Sequence, residues 1–265
     1  RLLSSEGKIL SSETLDIIHG GEWNDVKKTL TAVGHDSKGR LALEFDSPGT
    51  VWVDYVSLFP ENTFNNRPNG LRRDVAEMLV GLKPAFFRWP GGCVVEGITL
   101  DNRFEWKKTL GDPAARPGEY STWGYRCSYG FGYYEMLQFC EDIGAKAMFV
   151  CNVGLGCQFR MGDACGEHDI DFYIDDCLDA IEYALGDEST EWGARRVADG
   201  HPAPFPLQYV EIGNENWGAE YDRRFDIFYK TIKEKYPQLT LIYNEMPQRD
   251  GASQITKTDM IDPHW

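Results

Sequence analysis

From about residue 60 onward the chain repeats one unit: a short, almost continuously apolar run that stops at a polar or aromatic residue, alternating with a longer stretch whose apolar residues fall at helical spacing. "NGLRRDVAEMLVGLKP" carries Leu71, Val75, Leu79 and Leu82 on one helical face and ends at Pro84, and "AFFRWPGG" follows as a strand closed by Pro90 and two glycines. "FGYYEMLQFCEDIGA" with "KAMFVCNVG", "DIDFYIDDCLDAIEYALGD" with "PLQYVEIGNE", and "YDRRFDIFYKTIKEKYP" with "LTLIYNE" repeat the pair, and "DMIDPHW" opens a further strand. Strands that are apolar along their whole length are buried on both faces, which requires a parallel sheet covered by helices. A doubly wound open sheet and a (β/α)8 TIM barrel both satisfy this. No G-x-G-x-x-G or G-x-x-x-x-G-K-[ST] stands at a strand-to-helix turn, as a phosphate-binding open sheet would show. Instead Arg88, Trp89, Asn152, Asn214, Glu215, Asn244, Glu245, His264 and Trp265 stand at or just past the strand ends. In a barrel those ends converge on one mouth where catalytic residues meet, so residues 60–265 read as a partial (β/α)8 barrel in an α/β fold.

Residues 1–59 have another rhythm. "LTAVGHDSKG", "RLALEFDSPG" and "TVWVDYVSLFP" are short alternating runs bounded by Gly, Pro, Asp and Ser, the pattern of antiparallel strands in a β-sandwich. In "VWVDYVSLF" the alternation puts Val51, Val53 and Tyr55 on one face and Trp52, Asp54 and Val56 on the other, as a partly buried strand does. The segment holds three to five such strands, and we read it as the C-terminal part of a β-sandwich domain of carbohydrate-binding type.

The charge balance narrows the partners. Acidic residues number 42 against 27 basic ones, a formal charge of −15 that repels phosphate backbones and anionic lipid, so neither nucleic acid nor a membrane is expected as partner. No apolar run approaches the roughly 18 residues that span a bilayer, and residues 1–30 show no signal-peptide pattern. A neutral substrate is indifferent to that field, and 8 Trp and 13 Tyr offer flat apolar faces of the kind on which sugars stack. The seven cysteines include no CxxC pair and no Cys/His ligand spacing, so neither a metal nor a cofactor is expected. Cys140, Cys151 and Cys177 fall in apolar patterns where thiols act as small hydrophobes, whereas Cys157 and Cys165 share a loop and are the pair to expect if any disulfide forms.

Glu215, in "YVEIGNENWG", is the sharpest candidate for chemistry. A carboxylic acid protonates a leaving oxygen at neutral pH only where its environment raises its pKa, and a strand end in an aromatic-lined mouth provides such desolvation. Asn214 beside it can bond a sugar hydroxyl and Trp217 can offer a stacking face. The structural alternative is that Glu215 caps the following loop or pairs with Arg223 or Arg224.

"DYVSLFPENTFNNRPNGLRRDVAEML", "FRWPGGCVVEG", "VCNVGLG" and "YVEIGNENWG", in this order over residues 52–265, resemble the α-L-arabinofuranosidases of glycoside hydrolase family 51, in clan A. The resemblance implies a retaining hydrolase that removes terminal α-L-arabinofuranosyl groups from arabinan or arabinoxylan, with the Asn-Glu pair at the end of barrel strand four falling on Asn214 and on Glu215 as general acid/base. It makes "AFFRWPGG" the second strand and "MIDPHW" the sixth. The nucleophilic glutamate is then expected beyond Trp265, at strand seven, so the chain reads as an internal piece that does not complete the reaction alone. Arg88 matches an arginine that supports the carboxylates, and Asn152 and His264 stand where strand ends line the family's pocket. Cys93 departs from relatives with Asn there. Glu245, in a second Asn-Glu pair, is a weaker alternative nucleophile, and one or two of Trp89, Trp106, Trp123 and Trp265 are expected as sugar platforms. The resemblance further implies a secreted or periplasmic enzyme and leaves room for a homo-oligomer. Its rivals are another retaining clan A hydrolase, an endo-glucanase or xylanase, and a carbohydrate-binding module without catalysis.

Overall fold

The computed structural model describes all residues except 17–19, 247, 248, 250–253 and 265. The chain divides into two compact units, Arg1–Val56 and Ser57–Trp265.

In the first unit, β1 (Leu2–Leu3), β2 (Ile9–Ser11) and β3 (Arg40–Leu41) form one antiparallel sheet in the order β2-β1-β3. The run around Val33 contributes a single backbone bond to Leu10 O, 3.0 Å long, rather than a strand. Residues 51–59, expected as a strand, form none, and Trp52 is 81% exposed. Alternation alone does not make a strand: the extended chain persists only where a neighbour completes its hydrogen-bond ladder. Among the described residues none does so here.

The second unit follows the expected alternation closely. It runs α1 (Arg73–Gly81), β4 (Phe86–Trp89), a hairpin of β5 (Glu119–Tyr120) and β6 (Arg126–Cys127), α2 (Tyr133–Ile143), β7 (Lys146–Cys151), α3 (Ile170–Leu185), α4 (Glu191–Ala198), β8 (Leu207–Ile212), α5 (Ala219–Lys235), β9 (Thr240–Glu245) and β10 (Met260–Pro263). Strands β4, β7, β8, β9 and β10 pair in parallel, each with the next in the chain, as half of a (β/α)8 barrel. Helix α2 stops where Gly144 takes a left-handed φ of 70° and its N–H returns to Cys140 O. Tyr133, Met136 and Leu137 of α2, Ile181 and Tyr183 of α3, and Phe225, Phe228 and Ile232 of α5 are fully buried in one core with the strands. Each such side chain contributes roughly 1.5–3 kcal/mol by leaving water.

Helix α4 has no counterpart in the sequence reading. Its apolar content is low; its anchor is the buried Arg196, whose guanidinium donates to Tyr183 O, His201 O and Pro202 O at 2.9–3.1 Å.

Candidate active site

Parallel strands in chain order bring their C-terminal ends together, and the side chains there form two layers. The turn after β8 positions the upper one. Gly213 has φ of 84°, and a Cβ on it would stand 2.6 Å from Asn216 Oδ1, so only glycine fits. Two residues later Glu215 itself takes φ of 47°, a left-handed conformation that costs a non-glycine residue of order ~1–3 kcal/mol and is held in place by its surroundings.

The lower layer is a polar network. Arg88, from β4, grips the fully buried Glu211 of β8 with two N–H groups: Nε donates to Oε2, and Nη2 to Oε1 at 3.0 Å. Nη2 also donates to Asn214 Oδ1 at 2.9 Å, and Asn244 Nδ2 of β9 reaches Glu211 Oε1 at 3.4 Å. Gly91 makes room for this arginine, since a Cβ there would lie 2.7 Å from Arg88 Nη1. Asn214 passes the network on, its Nδ2 donating to Glu96 Oε2 at 3.2 Å, while Asn216 Nδ2 donates to Glu96 Oε1 at 2.8 Å. Burial raises the Glu211 carboxyl against the pull of Arg88. Burial likewise pushes Glu96 up to about 8, opposed by the Asn214 amide and reinforced by Cys93 and Glu215.

Above this layer Glu215 is loosely held, its side chain 30% exposed. His264 Nδ1 lies 3.4 Å from Glu215 Oε1, and His264 Nε2 is 3.1 Å from Asp262 Oδ2, so the imidazole bridges two carboxylates. Cys93 Sγ lies 3.9 Å from Glu215 Oε2. The alternative partners of Glu215 are occupied elsewhere: Arg223 pairs with Glu220, and Arg224 with Glu220, Val153 O, Gly154 O and Cys165.

Asn152, expected at a pocket-lining strand end, bonds the neighbouring loops. Its Nδ2 donates to Val95 O and Leu155 O at 3.1 and 3.2 Å, and its Oδ1 accepts from Gly154 N at 2.6 Å, so it ties the loops after β4 and β7 together. Trp217 packs edge-on against Phe159 with centroids 5.0 Å apart, has the Arg249 guanidinium 5.5 Å over its ring, and exchanges two backbone bonds with the Gln158 amide. Of the other tryptophans proposed as sugar platforms, Trp106 is core and Trp89 stacks on the buried Tyr133. Trp123 is 59% exposed under Arg160, and Trp265 lies outside the described residues. All seven cysteines are free; Cys157 faces Cys93 and Glu96 rather than Cys165, whose sulfur accepts from Arg224.

Glu211, Glu96, Asn216 and Gln158 were not singled out by the sequence reading. A signal for Glu211 was present: a carboxylate inside the apolar run "YVEI" needs a buried partner, and Arg88, equally anomalous in "FFRW", is the available cation. Among the described residues two side-chain groups have the density to hold a cation, Cys93 with Glu96 and Cys157, and Glu211 with Asp262 and His264; in the second, Arg88 already neutralises Glu211.

Comparison with known proteins follows the same lines. The sequence model of the "Alpha-L-arabinofuranosidase 1 domain" matches residues 78–265. Alpha-L-arabinofuranosidase 2 of Arabidopsis thaliana is 37% identical over 246 residues, covering 91% of this chain and 36% of the relative. An extracellular exo-alpha-L-arabinofuranosidase of Streptomyces chartreusis is 36% identical over 268 residues, covering 92% of this chain and 32% of the relative. The chain thus spans about a third of the length of the curated relatives it matches. Among solved structures, the arabinose-bound MgGH51 α-L-arabinofuranosidase superposes with a TM-score of 0.67 at 37% identity over 73% of this chain and 31% of its own. The arabinose complex of the Thermotoga maritima α-L-arabinofuranosidase gives 0.55 at 26% identity over 67% and 34%. The matched domain, the relatives and the half-barrel agree, and the chain belongs to the α-L-arabinofuranosidases of glycoside hydrolase family 51.

Proposed function

We propose that these residues form the acid/base half of a retaining α-L-arabinofuranosidase site, acting on terminal arabinofuranosyl groups of arabinan, arabinoxylan or related oligosaccharides. The observation that carries this reading is Glu215 itself: an accessible carboxylate at the end of β8, in a left-handed turn, supported from below by a polar network. In the first step the Glu215 carboxyl donates its proton to the departing glycosidic oxygen while a second glutamate attacks the anomeric carbon. In the second step the Glu215 carboxylate takes a proton from water, which displaces that glutamate and frees arabinose with retained configuration. Arg88 and Asn214 orient the turn, and His264 steers the Glu215 carboxylate. The attacking glutamate is expected at the end of barrel strand seven, about 5–5.5 Å from Glu215; Glu245, at the end of β9, is the alternative.

Residues 1–59 are proposed as the end of a β-sandwich domain and 60–265 as the barrel. Secretion is proposed because the Streptomyces relative is extracellular; among the described residues no helix is long and apolar enough to cross a membrane.

Azide separates this mechanism from its rivals. In the intact enzyme, Glu215→Ala should lose far more activity on arabinofuranosides with poor leaving groups than on aryl ones, and azide should restore turnover on the aryl substrate with arabinofuranosyl azide as product. Unchanged activity in that variant, or loss without azide rescue, removes Glu215 from the acid/base role. Cleavage of internal backbone linkages in its place would identify an endo-acting clan A enzyme.

A further inference from the structure

We propose that Cys93, Glu96 and Cys157 form a binding site for a soft divalent cation of the zinc class. The two sulfurs and a carboxylate oxygen all lie within 4.8 Å of one another, and all three residues are buried. They come from two loops, Cys93 and Glu96 from the segment after β4 and Cys157 from the segment after β7, which Cys157 N ties together through Gly97 O at 3.3 Å. Thiolate sulfur and carboxylate oxygen are ligands that such ions take, and three protein ligands leave the fourth tetrahedral position open.

The surroundings match what a ligand set needs. Asn214 and Asn216 each hold one oxygen of Glu96, fixing the carboxylate while leaving a lone pair on each oxygen. Two thiolates and a carboxylate carry three negative charges, so a bound divalent ion leaves one. Binding would release the remaining thiol and carboxyl protons to solvent.

Cys93 Sγ is also 3.9 Å from Glu215 Oε2, so an ion held there would change the charge beside the residue proposed as acid/base. That consequence rests on the function proposed above; the binding itself does not, and the two fail separately.

The test is titration of the reduced, metal-free protein with Cd2+, recording the ultraviolet thiolate-to-cadmium charge-transfer band. One ion per chain is expected to saturate the band. Cys157→Ser should remove most of it and weaken binding at least about tenfold, Glu96→Gln should weaken binding while the band persists, and Cys140→Ser, in α2, should behave as the native protein. No band, or the same midpoint and amplitude in Cys157→Ser, overturns the site. X-ray absorption on the unmutated cadmium-loaded protein tests it without any variant: a first shell of two sulfurs with oxygen supports the assignment, and any other sulfur count refutes it.

Discussion

Glu211 and Glu215 stand four residues apart, one inside β8 and one in the turn that follows it, yet their surroundings differ in almost every respect. The Glu211 side chain is fully buried and gripped by two N–H groups of Arg88; that of Glu215 is 30% exposed, with His264 at 3.4 Å and Cys93 at 3.9 Å as its near neighbours. A buried carboxylate with a bidentate partner is fixed in geometry and in charge, which suits a scaffold. An accessible, loosely held one can change protonation and reach another molecule. In the proposed mechanism the barrel uses one residue type twice, below as a strut and above as a reagent, and the left-handed turn at Glu215 separates the two layers.

If the glutamates divide the work this way, Glu215→Gln should lower turnover on unactivated arabinofuranosides by about 10²–10⁴-fold and leave the urea unfolding midpoint where it was. A matching loss of stability would make Glu215 a strut as well. Arg88→Ala should do the reverse of this on stability, costing about 3–5 kcal/mol in urea unfolding, because it leaves the Glu211 charge buried without its partner. That cost should depend on pH, with a definite sign. Burial already raises the Glu211 carboxyl, and losing Arg88 raises it further. A carboxyl whose folded pKa exceeds its unfolded one stabilises most below the ordinary carboxylate range and loses that contribution as pH rises through the folded value. The Arg88→Ala deficit should therefore be largest at alkaline pH and shrink on acidification; a deficit that ignores pH would mean that Glu211 is not the group left exposed to the change.

Smaller effects mark the edges of the network. Asn152→Ala strands Val95 O, Leu155 O and Gly154 N and should cost about 1–3 kcal/mol in the same assay. Trp52→Ser, in the Arg1–Val56 unit, should change stability by less than about 0.5 kcal/mol despite removing the largest side-chain type, since that indole is 81% exposed.

The helices and strands of the barrel were legible because each is a local pattern. The apolar runs at Phe86, Lys146, Leu207 and Thr240 and the helical faces between them follow from residues a few places apart, and burial of those faces leaves one parallel arrangement. Alternation failed as a guide at 51–59, where a strand needed a neighbour that no local pattern could supply, and at α4, where a buried arginine replaced the apolar face.

For the site, the sequence by itself determined which residues stand at strand ends: Arg88, Asn152, Asn214, Glu215 and His264 are all where the run lengths put them. Only the tertiary structure decided what each one touches. It turned Asn152 inward to the loops, closed Arg88 on Glu211 across 123 positions, and set Cys157 beside Cys93 and Glu96 although no ligand spacing links them. The physical reason is range: hydrophobic periodicity is written in neighbouring residues, whereas hydrogen bonds and ligand sets form between side chains that only the closing of the sheet brings within a few ångströms.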